Sequence, residues 1–320
     1  MNIKSILILA LKVLALTIVF FISFLVGSSI FSPVDPLGMT PEEMNMAPIM
    51  LLVVGLIDTL ILTWLILRSR LYGWRLMVVV AFILYGVKTF TSIVEAWYFM
   101  TSVTSEMALR LLLQTVPLVL IFPPVAVLVL GKAKKQDEAD ETPNTRLVMP
   151  TGQLVLKVVF LSVVVYSALF WGAGYYIAFR NPELLAYYGT SDPGSFLAQL
   201  GVLWASDPFV FVLEFLRGAL WVALAAPIIR WTKGRTWETG LLVALTFALV
   251  QNDIHLVPQP LMPPSVRLSH FIETASSNFI WGLAIVWLLH REHTSFRDLF
   301  SFGRAKETDV VAVSSSASTK

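Results

Sequence analysis

Eight apolar stretches set the rhythm of the chain: residues 5–30, 47–68, 75–100, 106–131, 152–178, 208–230, 237–258 and 266–290. Each is about as long as the ~20 residues that carry an α-helix across a hydrocarbon layer. The pattern predicts an all-α polytopic membrane protein with eight transmembrane helices. The first stretch also has a feature of a secretory leader, since Lys4 precedes an apolar run. That run is long, Lys12 interrupts it and GSSIFS is a poor small-residue cleavage site, so a retained helix is expected.

The apolar pattern repeats. LKVLALTIVFFISFLVG from Leu11 aligns without a gap on LKVVFLSVVVYSALFWG from Leu156, placing Lys12 on Lys157, Thr17 on Ser162 and Gly27 on Gly172. The hairpin at Gly73-Trp74 matches that at Thr236-Trp237, which sets Lys88 against Gln251 and Ser92 against His255. LLLQT and HFIET then set Gln114 against Glu273 and Thr115 against Thr274. Three matches in one order predict a tandem 4+4 parallel repeat, the halves related by a pseudo-two-fold axis along the membrane normal. The expected parts are a first repeat (1–131), a charged cytoplasmic linker (132–151), a second repeat (152–291) with an outer loop at 179–207, and a largely disordered tail (292–320). The outer loop, with Tyr187, Tyr188 and Trp204, suits either a lid or a passive surface loop. SFRDLFSFGR suits either an interfacial helix or an unstructured extension.

Composition agrees with the pattern. The 320 residues are 57% apolar and 14% charged, where a soluble domain is nearer a quarter charged. The net charge of +2 says less than its placement. Arg68, Arg70 and Arg75, then Lys132, Lys134, Lys135 and Arg146, then Arg230, Lys233 and Arg235 fall in alternate loops, and Arg291, Arg297, Arg304 and Lys306 follow the last span. The positive-inside rule makes those loops and both termini cytoplasmic, in a plasma membrane. The chain has no cysteine, which excludes disulfides, thiolate metal sites, iron–sulfur clusters and thiol nucleophiles. No glycine-rich phosphate loop points to nucleotide-driven pumping, and no basic, aromatic-interleaved face points to nucleic acid.

Against that background the ionisable residues inside the spans stand out, because a charge in the bilayer centre costs from about 3 to more than 10 kcal/mol. Span three offers Lys88, Thr91, Ser92 and Glu95 on one face; span four Arg110 and Gln114; span six Glu214 and Arg217; span seven Gln251, Asn252, Asp253 and His255. Span eight carries Arg267, His270, Glu273, Thr274, Ser277 and Asn278, and Asp58 lies mid-way along span two. Five acids (Asp58, Glu95, Glu214, Asp253, Glu273) face four bases (Lys88, Arg110, Arg217, Arg267), a near balance that leaves one negative charge for a proton, a cation or a protonated histidine. The expected binding set is His255, His270, Glu273, Asp253, Glu95, Lys88, Gln114, Gln251, Glu214 and Arg217, lining an outward-facing polar chamber. Simpler roles are open to several members. Glu214 and Arg217 are spaced as an intrahelical pair, Arg110, Arg267, Lys12 and Lys157 as snorkelling cations, and Asn278 as helix–helix glue.

His255, His270 and Glu273, joined by Asp253 or Glu214, would offer N/O ligands to a divalent metal such as zinc, which could acidify a bound water. Two functions follow. The first is binding and translocation of a small solute or ion, with proton coupling as an option. The alternative is a metal-dependent membrane-embedded hydrolase acting on a lipid or peptide at the outer leaflet; a receptor binding without turnover is a third option. The spread of glutamate, arginine, histidine and asparagine over the late helices loosely resembles the prenyl-protein endopeptidase-like membrane proteases. The adjacent paired glutamates of that family are missing, since Leu213 precedes Glu214, and no membership is assigned. A path from the chamber to the cytoplasm would favour transport, whereas an apolar seal would favour an enzyme or a receptor.

Overall fold

A computed structural model describes residues 2–32, 38–135, 144–190, 194–295 and 297–300. The polypeptide is helical throughout these parts, with thirteen α-helices: α1 (Ile3–Phe31), α2 (Pro41–Arg68), α3 (Gly73–Tyr85), α4 (Thr91–Phe99), α5 (Ser105–Gln114), α6 (Val116–Val129), α7 (Thr151–Phe160), α8 (Ser167–Tyr176), α9 (Pro182–Tyr187), α10 (Phe196–Ser206), α11 (Phe209–Trp231), α12 (Thr236–Leu245) and α13 (Pro264–Leu289). Single π-helical turns at Gly86–Phe90, Leu161–Tyr166 and Thr246–Val250 join α3 to α4, join α7 to α8 and extend α12. Among the described residues, seven helical stretches are long and apolar enough to cross a membrane. The protein is an integral membrane protein of α-helices.

Local chemistry explains where these helices begin and break. Thr40 and Glu43 cap each other's backbone at the start of α2, and Pro41 fills the first turn, where a missing N–H costs nothing. Pro117 follows the break between α5 and α6 at Thr115 and sits in the first turn of α6, where its missing N–H costs no intrahelical bond. Span seven departs from expectation. The predicted 237–258 helix ends at Val250, and the chain turns through a short 3-10 helix at Asp253–Leu256. Asn252 stops it by donating from Nδ2 to the carbonyls of Phe247 (3.2 Å) and Ala248 (3.0 Å), and Pro258 and Pro260 prevent a restart. The helix thus rises only about 20 Å from Thr236.

The two hairpin turns meet in a reciprocal contact. Arg70 N donates to Trp231 O and Lys233 N donates to Arg68 O, both at 2.7 Å, so Ser69 and Thr232 form an antiparallel bridge. The alignment that sets Gly73-Trp74 on Thr236-Trp237 also sets Ser69 on Thr232. Both carbonyls are then capped by cations flanking the 136–143 stretch: Lys132 Nζ on Ser69 O at 2.8 Å, and Arg146 Nη1 on Thr232 O at 2.6 Å. The expected charged linker is therefore anchored at both described ends; its middle, 136–143, lies outside the described residues. The tail from 301 onward also lies outside them, while Arg297–Phe300 forms a 3-10 turn held by Trp287 Nε1 to Leu299 O at 2.9 Å.

Packing near these turns is apolar. Leu65, Ile66, Leu76, Ile83, Leu84, Leu224, Ile228, Leu242, Val243 and Ile285 are all buried in one cluster. Lipid tails solvate such side chains as well as a protein core does, so helix association here depends on close fit. Gly282 shows the closeness: a Cβ there would come within 2.6 Å of Ala244 Cα, backbone that cannot swing aside.

Candidate functional site

Toward the opposite end of the bundle the buried residues become polar. Lys88 lies in the π turn of span three, with its side chain 5% exposed. Its ammonium donates to Asp253 Oδ1 at 2.7 Å and to the Val250 carbonyl at 3.4 Å, and pairs with Asp58 Oδ2 at 2.7 Å. The break in span seven puts Asp253 there, because the chain leaves the helix axis just after Val250. Asp58, on α2, and Asp253 both have fully buried side chains.

Arg217 on α11 organises a second group. Its Nη1 donates to both Glu214 carboxylate oxygens, at 2.7 and 2.8 Å, and its Nη2 donates to Glu95 on α4. Glu214 and Arg217 form the intrahelical pair that their spacing allows, and Glu95 turns that pair into a link between α4 and α11. The guanidinium carbon also sits 5.5 Å from the centre of the Phe170 ring. Each group thus has two acids around one base.

A cavity joins the Arg217 group to span eight. It is narrow, with room for little more than one water. Arg217, Glu95, Gln251, Glu273, Thr274, Ser277 and Asn278 give it polar walls. Gln251 bridges these walls, donating to Ser92 Oγ at 3.2 Å and accepting from Asn278 Nδ2 at 3.0 Å. Asn278 therefore acts as helix glue and as lining at once. Tyr166, Trp221 and Trp281 close the cavity toward the hairpin turns, and the apolar cluster continues below them. Buried Trp221 Nε1 and Trp281 Nε1 have no hydrogen-bond partner. These aromatic residues were not among the candidates, because tryptophan in an apolar helix reads as lipid contact or packing.

The histidines occupy a neighbouring shelf. His270 Nδ1 is 3.0 Å from Glu273 Oε2 and its Nε2 is 3.0 Å from the Tyr188 hydroxyl. The carboxylate accepts, so the network assigns the proton to Nδ1 and makes Tyr188 the donor to Nε2. Burial, then the charge of Glu95, hold the Tyr188 phenol above its ordinary value, which keeps that donor in place. His255 stacks on His270 with ring centres 6.0 Å apart. The suggested metal set of His255, His270 and Glu273 is not assembled: His270 engages both ring nitrogens with protein, and among the described residues no three histidine or acidic side chains converge as ligands. Part of the outer loop covers this shelf, with Leu184 fully buried and Tyr187 Oη donating to Leu261 O at 2.8 Å. Helix α10 in the same loop has no buried residue.

Three other expectations change. Gln114 is drawn away from the cavity, donating to Ser28 Oγ on α1 at 2.7 Å. Arg267 does not snorkel; it is buried, donates from Nη1 to Val257 O and lies 3.8 Å from Glu43. Lys157 finds protein at its end of the bundle, donating to Arg291 O at 2.9 Å and lying 2.7 Å from His293 Nδ1. Arg110 is half-exposed and paired with Glu106 one turn earlier at 3.0 Å. No protein-family model, no curated protein and no solved structure matches the chain.

Proposed function

We propose that the protein binds a small polar solute or ion in the cavity bounded by Arg217, Gln251 and Glu273 and moves it across the membrane. The single observation that carries this is the end of span seven. Its helix stops at Val250, and irregular backbone continues through Gln251 and Asp253, beside the Lys88 group and the cavity. Non-helical backbone at membrane depth is tolerated where it is buried in protein or lines a cavity, and broken helices at a repeat interface are how many secondary transporters build their sites.

The architecture under this proposal is eight spans in a 4+4 parallel repeat, with both termini and the two hairpin turns in the cytoplasm and the cavity toward the outer face. The reciprocal Ser69–Thr232 bridge supports the repeat, since a two-fold axis pairs equivalent residues with each other. So does the match of Gly55 to Gly218 under the same alignment: a Cβ on the first would meet Phe20 at 3.3 Å, and one on the second Ser162 at 3.0 Å, each on the first span of its half. Alternating access closes one side at a time, and Tyr166, Trp221 and Trp281 would form the inner gate of an outward-facing state. The His255–His270–Glu273 geometry gives metal-dependent hydrolysis no comparable support.

Reconstituted protein should give transient currents on a solid-supported membrane when one member of a panel of small monovalent cations, ammonium included, is presented. Glu273→Gln should abolish that current, because Glu273 faces the cavity, while Arg110→Gln should leave it nearly intact. Equal effects of the two substitutions, or no current with any member of the panel, would count against the proposal.

A further inference from the structure

We infer that Asp58 and Asp253 together hold one proton, which makes the Asp58–Lys88–Asp253 group a proton-binding site at the centre of the bundle, distinct from the cavity around Arg217. Both carboxylates touch the same ammonium at 2.7 Å, so they lie within two such contacts of each other. Fully ionised, the group carries one surplus negative charge on side chains that are 0%, 5% and 0% exposed. Water does not reach that charge, and like charges this close in a dry site do not both remain.

Hydrogen-bond accounting leads to the same place. Lys88 donates to Asp253 Oδ1 and to Val250 O, while Asp58 Oδ2 lies 2.7 Å from the ammonium as an ion pair without a hydrogen bond. Both oxygens of Asp58, and Asp253 Oδ2, remain buried without a hydrogen-bond partner. Helix α1 brings only the Phe20 ring, 5.8 Å from the ammonium. The other buried cations are engaged elsewhere: Arg217 with Glu214 and Glu95, Arg267 with Val257 O and Glu43, Lys132 with Ser69 O, and Lys157 with Arg291 O. One proton between the aspartates cancels the surplus charge and supplies a donor to an orphaned oxygen. The geometry resembles two carboxylates sharing one proton, with a lysine in the third corner.

The site draws on α2 and span three from one half of the chain and on the broken span seven from the other. Losing the proton would leave Lys88 between two full charges, so proton occupancy would bias how closely the halves sit. As the ion used for coupling, the proton rests on the translocation proposal above. As a bound proton it does not.

The test is infrared spectroscopy of the protein in lipid nanodiscs with hydrogen–deuterium exchange. Wild type at neutral pH should show a carboxylic-acid C=O band that moves down in heavy water. Asp58→Asn and Asp253→Asn should each remove that band, since either leaves a single ionised aspartate on Lys88 and no surplus charge. If an Asn variant fails to fold, Asp253→Glu should shift the band instead. A wild-type band that survives unchanged in all three variants overturns the inference, as does a missing band with stability that depends on sodium or potassium. A band present with no solute current would retire the translocation proposal alone; a current with no band would retire this one alone.

Discussion

Arg217→Met is the most informative single substitution. The guanidinium holds Glu214 through two hydrogen bonds of 2.7 and 2.8 Å, and the Glu214 side chain is 0% exposed. Removing the cation strands that carboxylate in a dry site. Breaking a buried pair from one side costs about 3–5 kcal/mol, most of it the penalty of the charge left behind. The internal comparison is Arg110→Gln, which breaks an i,i+4 pair whose partners are 51% and 76% exposed; such surface pairs contribute only about 0.3–0.5 kcal/mol. The two substitutions should therefore differ roughly tenfold in free energy. Equilibrium unfolding of the purified protein in mixed micelles, followed by tryptophan fluorescence, measures both. Adding Glu214→Gln to Arg217→Met should recover a large part of the loss, because the stranded charge is then gone. If Arg217→Met costs no more than Arg110→Gln, or if Glu214→Gln recovers nothing, the buried ion-pair reasoning fails.

Two further outcomes follow from packing and from charge. Gly282→Ala would push a Cβ into the Ala244 backbone at 2.6 Å, so α12 and α13 must separate at a cost of about 1–3 kcal/mol, whereas Gly172→Ala has nothing within 4 Å and should be neutral or mildly stabilising in the same assay. The shift should also loosen the Asn278–Gln251 bridge one turn away, weakening any solute current. At the hairpin-turn end, burial and then the nearby Lys157 charge push His293 down to about 4. Unfolded chains take up this proton near pH 6.5 and the folded protein does not until about pH 4, so stability contributed here is present above 6.5 and falls as the pH drops through that window. The thermal midpoint of wild type should decline across this range more steeply than that of His293→Gln; parallel curves would remove His293 from the account.

What the chain determines on its own is the class of solvent and the class of element. Runs of about twenty apolar residues need no tertiary information to become helices in lipid, since the backbone has no other way to satisfy its polar groups there. The same logic marked Lys88, Glu95, Arg217, Gln251 and Glu273 as residues needing partners. Which partner each finds was decided only by assembly. Asp58 and Asp253 are far apart in sequence and on different helices, so nothing local announces that both reach Lys88. The sequence groups Gln114 with the cavity residues and Arg267 with the snorkelling cations, yet packing turns one toward Ser28 and the other toward Val257. Local sequence reports how unhappy a group would be in hydrocarbon; the direction of its side chain, and hence its role, depends on π turns, the Asn252 stop and helix contacts that arise only when distant segments pack.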